Sequence, residues 1–327
     1  MTELFIHIHD LLGETGFLIL SLSFAGTICF WCIPETTDYM VNAAAGLAGL
    51  YWGRDKRTLV INSSTNNPEL FSMIIAFTLG RMGGIANPLG SNFANIYLMF
   101  LIAPFFAIFK WALMGKMQNI KKFIALSIKE KNLWLWHIVM SLTMFCFASL
   151  AYWCITGVNQ FKPLPLTHSP RPSYAVFIGG IFCLIGMGIF FFFENKLKAQ
   201  RIELYEDIDE QDHHPSWRDF FLGTVGLISS CYIVNALFLA WSELYSPILQ
   251  HFFGAAIFAG LHYFVGALIT SLPEMTVAVE NYERLTPPDL NTAMASASQS
   301  NMTNLAIAAI GSIVASVLLF FGFSYQL

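Results

Sequence analysis

Asn62-Ser63-Ser64-Thr65-Asn66-Asn67-Pro68-Glu69-Leu70-Phe71 sets a carboxylate, a helix-breaking proline and a run of small polar side chains inside a long apolar segment. The chain repeats the arrangement at Ala267-Leu268-Ile269-Thr270-Ser271-Leu272-Pro273-Glu274-Met275-Thr276. Thr65, Pro68 and Glu69 correspond to Thr270, Pro273 and Glu274 at a constant offset of 205 residues. A charged side chain in the middle of a membrane segment costs about 2.5–3.5 kcal/mol on insertion scales, so it marks a functional site by default. Two matched copies are a far stronger signal than one.

The surroundings make this a membrane protein. Of 327 residues, 56% are hydrophobic and 12% charged, with mean hydropathy +0.58. Soluble domains carry about 25% charged residues. Apolar runs of about 20 residues recur, and a helix satisfies their backbone in lipid. The short alternating segments of a β-barrel do not occur. A net charge of −4 points to no nucleic-acid partner. All six cysteines fall in apolar runs, and Cys29-Phe30-Trp31-Cys32 lacks the βαβ context of a redox motif, so buried helix thiols are expected. The first 15 residues carry Glu3, Asp10 and Glu14 but no Lys or Arg, the wrong charge for a signal peptide.

The pattern predicts an all-α, polytopic protein of about eight transmembrane helices, at 17–52, 59–79, 87–110, 133–155, 174–193, 220–253, 255–279 and 292–323. The first would be about 54 Å long as one helix, more than a bilayer core of about 30 Å, so a single kinked or tilted helix is expected there. Residues 194–218 are the most hydrophilic stretch and divide the chain into a first half (1–195), an acidic loop (196–216) and a second half (217–327). With the N-terminus outside, 14 of the 17 Lys and Arg fall on the inner side, which puts the 194–218 loop in the cytoplasm of a cell or inner membrane. Five spans precede the second half, so it enters from the opposite side. Inverted-topology repeats with interrupted helices are the signature of secondary transporters.

The motif chemistry suits a dehydrating cation, which needs oxygen ligands. A proline after small polar residues disrupts the helical ladder and frees carbonyls. Thr65, Asn66 and Glu69 supply oxygens on one side, and Thr270, Ser271 and Glu274 on the other. Residues four apart share a helix face, which predicts that Thr65 points with Glu69, Thr270 with Glu274, Ser91 with Asn95 and Ser300 with Asn304. Two facing carboxylates would hold one divalent cation, two or more monovalent cations, or protons.

The motifs resemble the α-repeats of the cation/calcium exchanger superfamily, which carry Gly-Thr-Ser-x-Pro-Glu followed by Gly-Ser-Asn-x-x-Asn/Asp. Leu89-Gly90-Ser91-Asn92-Phe93-Ala94-Asn95 and Ile269-Thr270-Ser271-Leu272-Pro273-Glu274 carry the likeness best. It covers about 38–96 and 243–305. Ser64, Asn66, Ile269 and Gln299 stand where the family has Gly, Ser, Gly and Gly, Asn304 stands where some members have Asp, and the family has ten helices rather than eight. The resemblance implies calcium or another divalent cation exchanged for sodium or protons by alternating access, no resident cofactor, and a cage of Glu69, Glu274, Thr65, Asn66, Thr270, Ser271, Ser91, Asn95, Ser300 and Asn304. It also implies that the chain is not an enzyme.

Blander assignments cover the rest. Asp38 and Glu243, also 205 residues apart, are interfacial charges at helix bends; Asn92 and Asn301 satisfy neighbouring backbone; His7, His9, His213, His214 and the acidic run Glu203–Asp212 are solvated. Two alternatives stay open: a membrane-embedded enzyme using the Glu69/Glu274 pair, and a transport-inactive exchanger-like protein.

Overall fold

The computed structural model describes residues 1–53, 56–78, 82–158, 171–206, 215–253 and 267–323. The Arg54-Asp55 pair, Arg81, Pro163, Pro165 and Pro170, the acidic cluster from Asp207 to Asp212 with His213 and His214, and the start of the seventh expected span with His262 lie outside the described residues.

The described residues are helical and include no strand. The first helical stretch begins earlier than its hydropathy predicts. Helix α1 spans Thr2–Thr27, with a break at Gly13, whose φ of 71° suits glycine. A π-helical turn, Ile28–Cys32, joins it to α2, Ile33–Tyr51. The polar N-terminal residues join this helix because Phe5 and Phe17 bury against the later helix that carries Ala236, Leu237 and Ala240. Pro34 cannot donate to the ladder and its ring crowds the carbonyl four residues back. The π turn absorbs that conflict, with Ile33 N–H bonded to Ile28 O, five residues away.

The second expected span is two helices, α3 (Arg57–Ser64) and α4 (Asn67–Thr78), broken at Thr65-Asn66 as the proline chemistry predicts. The third is α5 (Ala86–Tyr97) and α6 (Ala103–Leu113), joined by a second π turn, Leu98–Ile102, two residues ahead of Pro104. The lysine-rich stretch between the third and fourth expected spans is a helix, α7 (Met117–Lys129). It buries Phe123 beside Trp111 and Tyr282 and exposes its lysines. Then come α8 (Lys131–Thr156), α9 (Ser173–Gln200), the short α10 (Glu203–Glu206) and α11 (Trp217–Phe253). Residues 267–270 are helical, Ser271 forms a turn, and α12 (Leu272–Arg284) follows. The last helix, α13 (Pro287–Phe320), starts five residues before the expected 292. Thr286 caps it by accepting from Asp289 N–H, and two prolines fill its first turn.

Among the described residues, six helical segments are long and apolar enough to cross a membrane: Thr2–Tyr51, Ala86–Leu113, Lys131–Thr156, Ser173–Gln200, Trp217–Tyr245 and Pro287–Phe320. The expectation of eight counted two further segments as well, whose described helices α3, α4 and α12 have 8, 12 and 13 residues, each too short to span by itself. The protein is thus an all-helical, polytopic membrane protein. Its surface agrees: Phe30, Trp31, Leu101, Phe105 and Phe192 are mostly exposed, in positions that lipid rather than water would cover.

Helix α13 is the centre of the bundle. It packs on α9, α12, α5, α8 and α3, and its residues from Asn291 to Met302 are buried without interruption. The two halves therefore interleave rather than form separate bodies, and α9 runs on to Gln200, past the expected boundary at 195. Helices α2 and α11 pair beside the bundle around Ile33, Met40, Leu227 and Val234. Gly223 lets the α11 backbone approach α2 so closely that a Cβ would lie 2.7 Å from Met40 N. At one end of the bundle Lys110 donates to Glu283 (2.8 Å), and Arg201 donates to Glu130 (2.8 Å) and Glu203 (3.0 Å). The exposed Glu203 carboxyl is held below its ordinary range by the Arg201 guanidinium beside it.

Candidate functional site

Both motifs fold in the same local way. Each breaks its helix just before the proline, because the residues around Pro68 and Pro273 lose the usual ladder. Thr65 Oγ1 donates to the carbonyl three residues back, Asn62 O, at 2.9 Å; Thr270 Oγ1 does the same with Ala267 O at 3.2 Å. The Thr65 hydroxyl thus occupies a carbonyl that the break releases, since Asn66 N–H turns to Ser63 O, while Ala267 O still accepts Ser271 N–H beside the Thr270 hydroxyl. Glu69 and Glu274 then sit in the first turns of α4 and α12, where free N–H groups and the helix dipole favour negative charge. Both glutamates are fully buried.

The contacts around them run crosswise between the motifs. Ser91 Oγ donates to Glu69 Oε1 at 3.1 Å, and Ser300 Oγ lies 3.1 Å from Glu274 Oε1. Thr270 of the second motif also lies beside Glu69, and Thr65 of the first beside Glu274. Ser91 and Thr270 place their hydroxyls 3.2 Å apart, while Ser300 Oγ is 2.9 Å from Asn66 Oδ1. This corrects the expectation that Thr65 shares a face with its own Glu69 and Thr270 with its own Glu274. That inference needs a continuous helix, and the break falls between the two residues in each case.

On α5, Asn95 Nδ2 donates to Ser300 Oγ (3.1 Å) and to Asn301 Oδ1 (3.0 Å). Asn301 Nδ2 donates to Asn92 O at 3.0 Å, so Asn301 does satisfy backbone as expected. Asn92 does not: neither of its side-chain polar atoms has a hydrogen-bond partner. Asn304, fully buried on α13, likewise has none, although Ser300 one turn earlier is bonded.

Five of the buried side-chain oxygens without a hydrogen-bond partner belong to this constellation. Glu69 Oε2, Glu274 Oε2, Asn95 Oδ1, Ser271 Oγ and Asn304 Oδ1 all lack partners. Each such group costs about 1–3 kcal/mol, more when charged. A chain that bears this cost at five residues of one constellation is built to satisfy them with something other than itself. All ten residues expected at the site are thus buried, and hydrogen bonds join eight of them in two clusters, Ser91 and Thr270 with Glu69, and Thr65, Asn66, Asn95 and Ser300 with Glu274; Ser271 and Asn304 contribute unpartnered groups. Asp38 and Glu243 stand apart from it: Asp38 lies beside Glu280, and Glu243 is exposed on α11.

Several buried polar residues escaped the sequence reasoning. Asn62, at the head of the first motif, donates from Nδ2 to Gln299 Oε1 (2.9 Å) and accepts from Ser296 Oγ (3.2 Å). Gln299 Nε2 bonds Glu194 on α9. His137 on α8 faces Asn291 Oδ1 through Nε2 (3.0 Å) and Ser298 Oγ through Nδ1 (2.9 Å). In the neutral ring Nε2 donates to the amide oxygen and Nδ1 accepts from the hydroxyl. The signal that could have found them was the run of polar residues along α13, too dense for a lipid-facing helix. The expected buried thiols are partly so: Cys154, Cys183 and Cys231 are buried, Cys29 and Cys32 half-buried, and Cys146 exposed.

Comparison of the chain with protein-family models, curated proteins and solved structures finds no match. The functional conclusion therefore rests on the chemistry of these residues.

Proposed function

We propose that this chain is a secondary active cation antiporter that exchanges calcium, or another divalent cation, for sodium or protons by alternating access. The observation that carries this is the crosswise pair. Two buried glutamates each have one oxygen held by hydroxyls and the other without a partner, amid further unpartnered amide and hydroxyl oxygens. Such a set offers charge and a dehydrated oxygen shell together, as a hard cation requires. Two carboxylates buried in one site cannot both stay uncompensated, so the site favours exchange of one charge complement for another over standing empty.

In this account the two motifs belong to inverted repeats, with the broken segments completing eight spans, the N-terminus outside and the loop around 194–218 in the cytoplasm. Glu69 and Glu274 are the central ligands. Thr65, Asn66, Ser91, Asn95, Thr270, Ser271, Ser300 and Asn304 complete the cage. Calcium, sodium and protons are substrates, and no resident cofactor takes part.

The test is calcium uptake into proteoliposomes holding the purified protein, driven first by an outward sodium gradient and then by an outward proton gradient. Uptake with one gradient alone establishes exchange and names the counter-ion. No uptake of calcium with either overturns the proposal for this ion.

A further inference from the structure

Helices α8 and α9 leave an open groove between them. Leu135 and Val139 of α8 and Ile189 and Phe193 of α9 form its walls, over the buried Met140, with Asn132 at one end and Thr143 at the other. Its volume is about 520 Å³, within the range of about 300–1,000 Å³ that small-molecule sites occupy. Past Asn132 the lining is nearly all apolar, because Thr143 turns its hydroxyl back onto Val139 O (2.8 Å). Leu135, Val139 and Phe193 are exposed on helices long and apolar enough to cross a membrane, so the groove faces lipid.

Its length fits one kind of molecule. From Asn132 to Thr143 the helix rises about 16 Å, at about 1.5 Å per residue. One leaflet of a bilayer has about 15 Å of hydrocarbon, half of a core of about 30 Å. The groove therefore runs the depth of one leaflet, as an extended acyl chain does. Its Asn132 end lies at the start of the spanning helix α8 and is basic. Lys131 precedes Asn132, and Lys196 stands three residues beyond Phe193 on the same face of α9; both lysines are exposed. The neighbouring acids are engaged elsewhere: Glu130 and Glu203 pair with Arg201, and Glu194 accepts from Gln299.

We propose that this groove holds one acyl chain of an anionic phospholipid, whose phosphate-bearing headgroup sits at Lys131, Lys196 and the Asn132 amide. The inference is independent of the transport proposal and needs only that the chain spans a membrane. The groove and the lysines divide the work. Apolar contact along Leu135, Val139, Ile189 and Phe193 holds the chain of any phospholipid. The two ammonium groups favour a headgroup with net negative charge, and salt weakens that preference. A chain in the groove also bridges α8 and α9, which both pack on the central helix α13, so the bound lipid steadies the bundle around the buried glutamates.

Native mass spectrometry of the purified full chain in detergent, titrated with phosphatidylserine and separately with phosphatidylcholine of the same acyl chains, tests this. The wild-type chain is expected to bind one phosphatidylserine about tenfold or more tightly than phosphatidylcholine. K131Q/K196Q is expected to lower the phosphatidylserine affinity about twentyfold, roughly fivefold per lysine, and to leave phosphatidylcholine unchanged. V139W, which fills the groove from its exposed rim, is expected to remove the tight adduct while the chain stays monodisperse; L135W takes its place if V139W does not fold. Equal affinity for the two lipids overturns the proposal, as does tight phosphatidylserine binding that survives either K131Q/K196Q or V139W. Full competition by the soluble headgroup glycerophosphoserine would assign the lysines to a free anion and overturn it too. A dimer in place of the lipid adduct, lost in V139W, would give the groove to a second copy of the chain, with the same result.

Discussion

The hydroxyls of Ser91 in the first half and Thr270 in the second lie 3.2 Å apart beside Glu69, to which Ser91 donates. Removing either one should therefore weaken the grip on the same carboxylate. S91A and T270V are each expected to lower cation affinity roughly tenfold, about 1.4 kcal/mol, near the low end of what a bond to a charged group contributes. The double variant should lose less than the sum, with a coupling of about 0.5 kcal/mol or more. A double-mutant cycle read from transport affinities checks this. Strict additivity would show that the crosswise contact does not operate in the working protein.

Glu69→Gln and Glu274→Gln should each abolish divalent transport while leaving the fold intact. Each carboxylate is buried with one oxygen unpartnered, so replacing it by the isosteric amide removes a buried charge without leaving a cavity. The melting temperature in detergent should stay level or rise while uptake falls to background. Calcium transport retained in a well-folded E69Q/E274Q protein would remove the basis of the transport proposal.

His137 is a structural tie rather than a ligand. Its two ring nitrogens bond Asn291 and Ser298 on the central helix α13. H137A should cost about 2–4 kcal/mol, since it leaves two buried polar groups unsatisfied and a void beside them. A thermal-shift assay should show a clear drop in melting temperature, with wild-type ion selectivity in the protein that remains folded.

Gly223 and Gly188 should respond oppositely to alanine. A Cβ at Gly223 would lie 2.7–2.8 Å from Met40 N, Cα and Cβ, where backbone cannot yield without separating α2 from α11. G223A is expected to destabilise by about 1–3 kcal/mol through overpacking. A Cβ at Gly188, within α9, meets nothing within 4 Å, so G188A should be neutral or stabilise by up to about 1 kcal/mol. Melting temperatures of the two variants, measured side by side, check the α2–α11 approach directly.

Much of this protein was open to reading in its linear order, because the governing forces are local. Apolar run length marked the long helices to within a few residues at α8 and α11, and Pro68 and Pro273 marked the two breaks, since a missing N–H acts within one helical turn. The paired glutamates announced themselves because a carboxylate is costly wherever lipid surrounds it. Where local signals were weak, boundaries slipped: the polar residues 2–16 joined α1 only because Phe5 and Phe17 pack on α11, and α7 hid in a lysine-rich connector.

The partnerships were not readable that way. Nothing local joins Asn62 to Gln299 across 237 residues, or Thr65 to the far glutamate rather than its own. Periodicity assumes an unbroken helix, and it fails at the break itself, where the backbone turns and the side chains swing toward the other motif. Which oxygens meet, and which are left without a partner, follows from how α3, α4, α5 and α12 crowd around α13. Helix composition places a polar group in the bundle, but only the packing of helices distant in sequence selects the group it faces.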